Sequence, residues 1–232
     1  MKRLLKGIAL VVAMMTATTI SAQDKVEATL GADVVSSYVW RGYDLGSASV
    51  QPSLGISWKG LSLGAWGAFG IVDKDDIKEL DLTLSYNVAG LTVGITDYYC
   101  VSGAENAPGK YFRYKSGDKG PQCHVFEGNV GYDFGFASLN WFTNFAGDDD
   151  YASYCEIAVP FKLGVDWQFS AGILPYKTDF YGNEGFTCSN LSLKATKDIK
   201  ITDHFSLPVF GQLTANPDNG KFYFAFGLSL GL

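Results

Sequence analysis

The sequence predicts an all-β fold, a transmembrane antiparallel up-and-down β-barrel of twelve strands, and three observations predict it. The first is a period of two. Over residues 26–41, Val26, Ala28, Leu30, Ala32, Val34, Tyr38 and Trp40 fall on one face, with Ser36 interrupting. Glu27, Thr29, Gly31, Asp33, Ser37 and Arg41 fall on the other, joined by Val35 and Val39. A strand of this length exceeds what a soluble domain usually needs. The pattern returns about twelve times along the chain. Segments of roughly ten residues, apolar on one side and small or polar on the other, are the signature of a barrel whose apolar face meets lipid and whose polar face lines a lumen.

The second observation is the sorting of the connections. Strands are expected near 26–41, 49–58, 61–72, 77–87, 91–100, 123–133, 136–146, 151–161, 165–174, 187–197, 205–215 and 221–232. The connections after even strands centre on Lys59-Gly60, Ala89-Gly90, Phe134-Gly135, Lys162–Gly164 and Asp198–His204, and four of the five are tight turns with glycine. The longest connections, Val101–Gln122 and Pro175–Phe186, and the Asp148-Asp149-Asp150 run all follow odd strands. Short turns on the periplasmic side and longer loops outside are the barrel pattern, with an even strand count.

The third is a pair of aromatic belts, which the two membrane interfaces select. Trp58, Tyr86, Tyr132, Phe161 and Phe205 lie at the periplasmic strand ends on the lipid face. Trp40, Tyr99, Phe145, Tyr151 and Phe222 lie at the outer ends. The last strand carries Phe222, Phe224, Phe226, Leu228, Leu230 and Leu232 on one face, an apolar end of the kind read by the barrel-assembly machinery.

The N-terminus reads as an export signal over residues 1–22: basic Lys2, Arg3 and Lys6, an apolar run from Gly7 to Met15, and small residues leading to Ser21-Ala22. Residues 23–232 then form one barrel domain. The apolar run is too short to span a membrane as a helix, and no later run of about eighteen apolar residues exists. Removing the three basic residues of the signal from 18 leaves 15 Lys and Arg against 24 Asp and Glu, a net of −9. An acidic chain argues against nucleic acid as a partner. The expected surroundings are outer-membrane lipid and lipopolysaccharide, and the expected solutes are small and polar.

Residues 33–70 read DVVSSYVWRGYDLGSASVQPSLGISWKGLSLGAWGAFG. The aromatic–Val–aromatic–Arg–Gly step at Tyr38–Gly42, the Gln51-Pro52 strand start and the Gly64-Ala65-Trp66 strand core resemble the opening of the TorF-type porins, a family of small Gram-negative outer-membrane proteins. The resemblance covers about a sixth of the chain and implies an outer-membrane barrel acting as a pore. It supplies no catalytic residues.

Parity assigns the lumen. Glu27, Asp33, Glu79, Asp81, Glu127, Asp133, Glu156 and Asp166 face inward against Arg41, Lys194 and Lys221. The candidate pore-lining residues are Asp33, Arg41, Glu79, Asp81, Glu127, Glu156 and Lys194. Arg41 has the parity of Glu27 and Asp33 and is expected to pair with lumen carboxylates and narrow the pore, near Glu79 and Asp81; the plainer reading is a rim residue before a turn. Trp66, Phe142, Tyr154 and Phe210 also point inward. A passage so lined favours cations. Twelve strands lie between eight, which side chains fill, and sixteen, which leave an aqueous channel, so an open and a plugged lumen both fit.

Four cysteines suit an oxidising compartment. Cys100 and Cys123 bracket the 22-residue outer loop with inward parity and are expected to form a disulfide. Cys155 and Cys188, on the eighth and tenth predicted strands with opposite parity, are expected as a second disulfide, which needs a bent or frayed strand end. No cysteine pair has metal-site spacing, and no cofactor is implied. The histidines are His124, at the outer rim with lipid-facing parity where a lipid-acting enzyme would hold its base, and His204, in a short turn. No nucleophile elbow, P-loop or zinc motif is present. The chain therefore reads as a passive channel and not an enzyme, with a closed structural barrel bearing adhesive outer loops as the first alternative and an outer-membrane lipid-acting enzyme as the second.

Overall fold

A computed structural model describes residues 25–72, 76, 78–100, 111, 112, 114, 124–203 and 205–231. The proposed export signal and its cleavage point lie outside them, as do Cys123 and His204.

Twelve antiparallel strands close into a barrel. They are β1 (Glu27–Val35), β4 (Ser49–Trp58), β5 (Leu61–Gly70), β6 (Lys78–Val88), β7 (Leu91–Cys100), β8 (His124–Asp133), β9 (Ser138–Ala146), β10 (Ser153–Leu163), β11 (Val165–Leu174), β12 (Thr187–Lys200), β13 (Ser206–Asn216) and β14 (Lys221–Gly231). Each wall strand pairs with its neighbours in the chain. The ring is sealed by β1 against β14, from Gly31 opposite Gly231 to Val35 opposite Gly227. Closure leaves no sheet edge, the condition for a sheet in hydrocarbon, where an unpaired backbone amide costs several kcal/mol.

Burial is inverted relative to a soluble protein, and β6 shows it residue by residue. Leu80, Leu82 and Leu84 are exposed, whereas Glu79, Asp81 and Thr83 between them are each only 8% exposed. The exposed apolar set continues through Leu54, Ile56, Leu63, Val93 and Ile95. In water such a surface would aggregate; in a bilayer it is the contact face. The belt expected at the periplasmic end is complete, with Trp58, Tyr86, Tyr132, Phe161 and Phe205 all exposed. Phe145, Tyr151 and Phe222 are exposed at the other end.

Two two-residue turns at one end carry positive φ at both positions, Lys59-Gly60 (48° and 87°) and Ala89-Gly90 (50° and 84°). This is the conformation that matches strand twist in a tight hairpin.

The predicted first strand is corrected. It ends at Val35, and the rest of its alternation belongs to a separate hairpin, β2 (Tyr38–Trp40) with β3 (Tyr43–Gly46), which lies outside the wall sheet. Its tip, Arg41-Gly42 (φ 50° and 87°), has the same turn geometry as the wall hairpins. Alternation cannot separate a long wall strand from a short one followed by a hairpin. Trp40 is therefore no belt residue. Tyr99 is likewise no exposed belt residue: it is buried on the barrel's outer side against Tyr111 and His124.

Candidate functional site: a hairpin across the lumen

The hairpin turns into the barrel mouth. Its stem meets β5, where Tyr38 packs on Ala68 and on Trp66, ring centroids 5.4 Å apart. Its tip reaches the far wall. There the register of β11 against β12 shifts, so that Gly172 pairs with Asn190 and Ile173 with Cys188, which leaves Ser189 as the extra residue of a bulge. Bulges of this kind re-aim local groups. The Ser189 hydroxyl donates to the Arg41 carbonyl at 3.2 Å, and Asn216 Nδ2 of β13 donates to the Gly42 carbonyl at 3.0 Å. A Cβ on Gly42 would sit 1.8 Å from the Ser189 carbonyl oxygen, so only glycine seats here.

The Arg41 side chain completes the crossing. Nη1 donates to Glu127 Oε2 at 2.6 Å and Nη2 to Oε1 at 2.8 Å, a bidentate pair with both partners buried. The guanidinium carbon stands 4.2 Å from the Trp40 ring centroid, 4.3 Å from Phe142 and 4.7 Å from Tyr154. The pairing with a lumen carboxylate agrees with the sequence expectation, but the partner is Glu127 of β8 instead of Glu79 or Asp81. A register shift between Phe126 and Glu127 in the β8–β9 pairing lies at this point.

The connection of residues 175–186 folds over the hairpin. Tyr181 stacks on Trp40 (6.1 Å, 24°) and Tyr43 (5.8 Å, 27°), and its hydroxyl accepts from Arg41 Nη1 at 2.7 Å. The loop is braced by Asn183, whose side-chain oxygen accepts from the Thr178 amide and hydroxyl. On its surface Lys177 meets Glu184 at 2.7 Å, which holds the Glu184 carboxyl below its ordinary range. The Asp148–Asp150 run is structural in the same sense: Asp148 accepts from the Asp150 and Ala152 amides.

Beneath the hairpin lies a cavity of about 350 Å³, touched by residues from all twelve wall strands. Asp33, Arg41, Asp81, Glu156 and Lys194 line it. Trp66, Phe142, Tyr154 and Phe210 do so as well, the inward orientation that parity assigns them. Glu127 is held under Arg41, and Glu79 is buried above Asp81 on the same strand face. Glu156 accepts from Tyr154 at 2.5 Å and Asn190 at 3.1 Å. Lys194 rests over the Phe210 ring at 4.0 Å, with Asp33 as its charged neighbour. Tyr154 occupies the space that a side chain at position 172 would take: a Cβ on Gly172 would sit 2.0 Å from its hydroxyl.

The cysteine expectations fare differently. Cys155 and Cys188 are free, which corrects the second disulfide. The bulge at Ser189 removes the parity conflict, because both now pair with Ile173, but that places β11 between them. Two strand spacings are roughly 9–10 Å, beyond the roughly 4.4–6.8 Å a disulfide bridges. The Cys100–Cys123 bond lies outside the described residues. His124 is fully buried on the outer side, with Nδ1 2.7 Å from Asp97 and Nε2 against the Tyr111 carbonyl.

Fold and lumen define the class: a twelve-stranded transmembrane barrel whose mouth is crossed by an inward hairpin. No protein-family model matches the chain, and no curated protein matches it. Three solved barrels align over 88% of it. Outer membrane phospholipase A from Escherichia coli does so at 12% identity and TM-score 0.39, over 89% of its own length. The calcium-bound dimer of the outer membrane phospholipase from Salmonella typhi gives 13% and 0.39, also over 89%. The COG4313 outer membrane channel from Pseudomonas putida F1 gives 16% and 0.38 over 94%. The function of this chain therefore rests on its own geometry.

Proposed function

We propose that this chain is an outer-membrane channel that passes small polar solutes through the barrel, with the Tyr38–Gly46 hairpin as its constriction. The observation that carries this reading is the cavity beneath the hairpin, which meets all twelve wall strands and is lined by charged, amide and hydroxyl groups. A barrel built only for structure would be expected to fill that space. The hairpin is also no part of the wall ladder. It is held by a few side-chain bonds and ring contacts, so it can shift without opening the barrel. The resemblance of Tyr38–Gly42 and Gly64–Trp66 to the TorF-type porins supports the same reading.

Export by the N-terminal signal, insertion by the barrel-assembly machinery and an outer rim among lipopolysaccharide belong to this proposal. The connection of residues 175–186 then faces outward, and both ends of the mature chain face the periplasm. The chain is proposed to move solutes without transforming them. The His124 ring is fully buried and its Nε2 is engaged by the Tyr111 carbonyl, which disfavours it as a catalytic base toward lipid.

A second reading, a closed barrel whose loops bind a partner, is favoured by the Tyr181 stack that clamps the hairpin. Swelling of proteoliposomes in isotonic arabinose separates the two. Swelling above protein-free vesicles supports the channel; swelling equal to them moves the weight to the closed barrel.

A further inference from the structure

The charges around the cavity are not equally satisfied. Arg41 is paired with Glu127, and Lys194 lies over the Phe210 ring with Asp33 as its charged neighbour. Glu156 accepts two hydrogen bonds. Asp81 and Glu79 differ: each is 8% exposed, Asp81 Oδ1 and Glu79 Oε2 are buried with no hydrogen-bond partner, and Glu79 has only the Tyr38 hydroxyl beside it. These side chains are two residues apart on β6 and share its inward face. A buried carboxylate oxygen without a donor costs more than an ordinary unmade hydrogen bond, so such a pair takes up either a shared proton or a cation.

The neighbours specify what kind. Asp81 sits on one rung between Trp66 of β5 and Tyr98 of β7. The hairpin brings Tyr38 onto Trp66 from above. All four of these residues line the cavity. A carboxylate framed by aromatic rings is the arrangement that attracts ammonium groups, through charge on one side and ring quadrupoles on the others. It is poorly suited to a hydrated metal ion, which needs several oxygen ligands. The volume of about 350 Å³ is at the small-molecule scale, well above a bare ammonium ion.

We propose that the cavity beneath the hairpin binds a small organic ammonium ion, its charged head beside Asp81, with Glu79 behind it, among the rings of Tyr38, Trp66 and Tyr98. Its apolar body occupies the rest of the cavity, beside Ala65 and Phe142. The site rests on the channel reading only in that the cavity must be reachable from solution. The hairpin supplies one wall of the site, so constriction and binding share the same residues.

The test is calorimetric titration of the full mature chain in dodecyl maltoside, a detergent without charge. The probe is 2-phenylethylammonium, compared with 2-phenylethanol and 3-phenylpropionate, which share the ring and differ in charge. Saturable binding of the ammonium, at least tenfold tighter than the alcohol and with no binding of the carboxylate, is expected. Asp81→Asn should weaken it at least tenfold, and Glu79→Gln by a smaller factor. No saturable binding overturns the proposal, as does equal binding of ammonium and alcohol, the result if the two carboxylates merely share a proton. The wild-type comparison decides this even if a variant fails to fold. Binding without arabinose permeation would reject the through-channel and keep the site; permeation without binding would do the reverse.

Discussion

Arg41 and Glu127 join across the barrel mouth through two parallel hydrogen bonds of 2.6 and 2.8 Å, although 86 residues separate them in the chain. One belongs to a hairpin tip and the other to wall strand β8. Bidentate pairing fixes orientation as well as distance. Removing one partner of a buried pair typically costs about 3–5 kcal/mol, because the other charge is left without compensation. The hairpin can relieve that cost by leaving its seat and letting water reach Glu127, so the pair acts as a latch.

The fit at Gly42 gives a second route to the same release. Gly42→Ala places a methyl 1.8 Å from the Ser189 carbonyl oxygen, a backbone atom, at φ +87°. The left-handed region itself costs roughly 1–2 kcal/mol for an alanine. The tip should therefore unseat while the wall stays closed. Trypsin added to reconstituted vesicles should cut after Arg41 in Gly42→Ala and leave the parent chain intact there, read by mass spectrometry. Equal resistance in both would mean that the tip is held by something other than this fit.

Selectivity should follow the lumen charges. Lys194 lies at the cavity wall beside Asp33. Lys194→Gln removes a positive charge and leaves Asp33 unmatched, so cation over anion permeability should rise severalfold, most at low salt where screening is weak. Reversal potentials across a potassium chloride gradient report this directly. An unchanged reversal potential would show that Lys194 does not act on the permeating ion.

The outer wall should answer to lipid. Leu84 stands exposed near the middle of β6, between inward Thr83 and Ser85. Leu84→Arg should lose about 2–4 kcal/mol, the cost of an arginine near the bilayer midplane on a barrel surface. Urea titration of folding into phosphatidylcholine vesicles measures it. An unchanged midpoint would place Leu84 away from hydrocarbon.

Much of this architecture was legible because barrel physics writes itself into a period of two. In β6 every second residue from Leu80 to Tyr86 is apolar, so strand, face and lumen set could all be read at once. Parity also identifies Trp66, Phe142, Tyr154 and Phe210 as inward. Parity alone could not find the hairpin, because Tyr38, Trp40 and Arg41 resume the alternation of β1 in phase after Ser36. The missed signal is Arg41-Gly42, which has the residue-then-glycine form of Lys59-Gly60 and Ala89-Gly90, both correctly taken as tight turns. Glu127 as the partner of Arg41 was beyond reach, since sequence gives inward direction but no depth or azimuth. The bulge at Ser189 shifted parity at Cys188 for the same reason: one extra residue exchanges the faces beyond it.

The central claim is a passage through the barrel that the Arg41–Glu127 latch narrows. Single-channel recording of the parent chain and Arg41→Ala in one planar bilayer system tests it most directly. The account predicts discrete conductance steps for the parent and steps several times larger for Arg41→Ala, with heat-modifiable migration showing that both barrels are folded. Folded protein that conducts in neither form would contradict it.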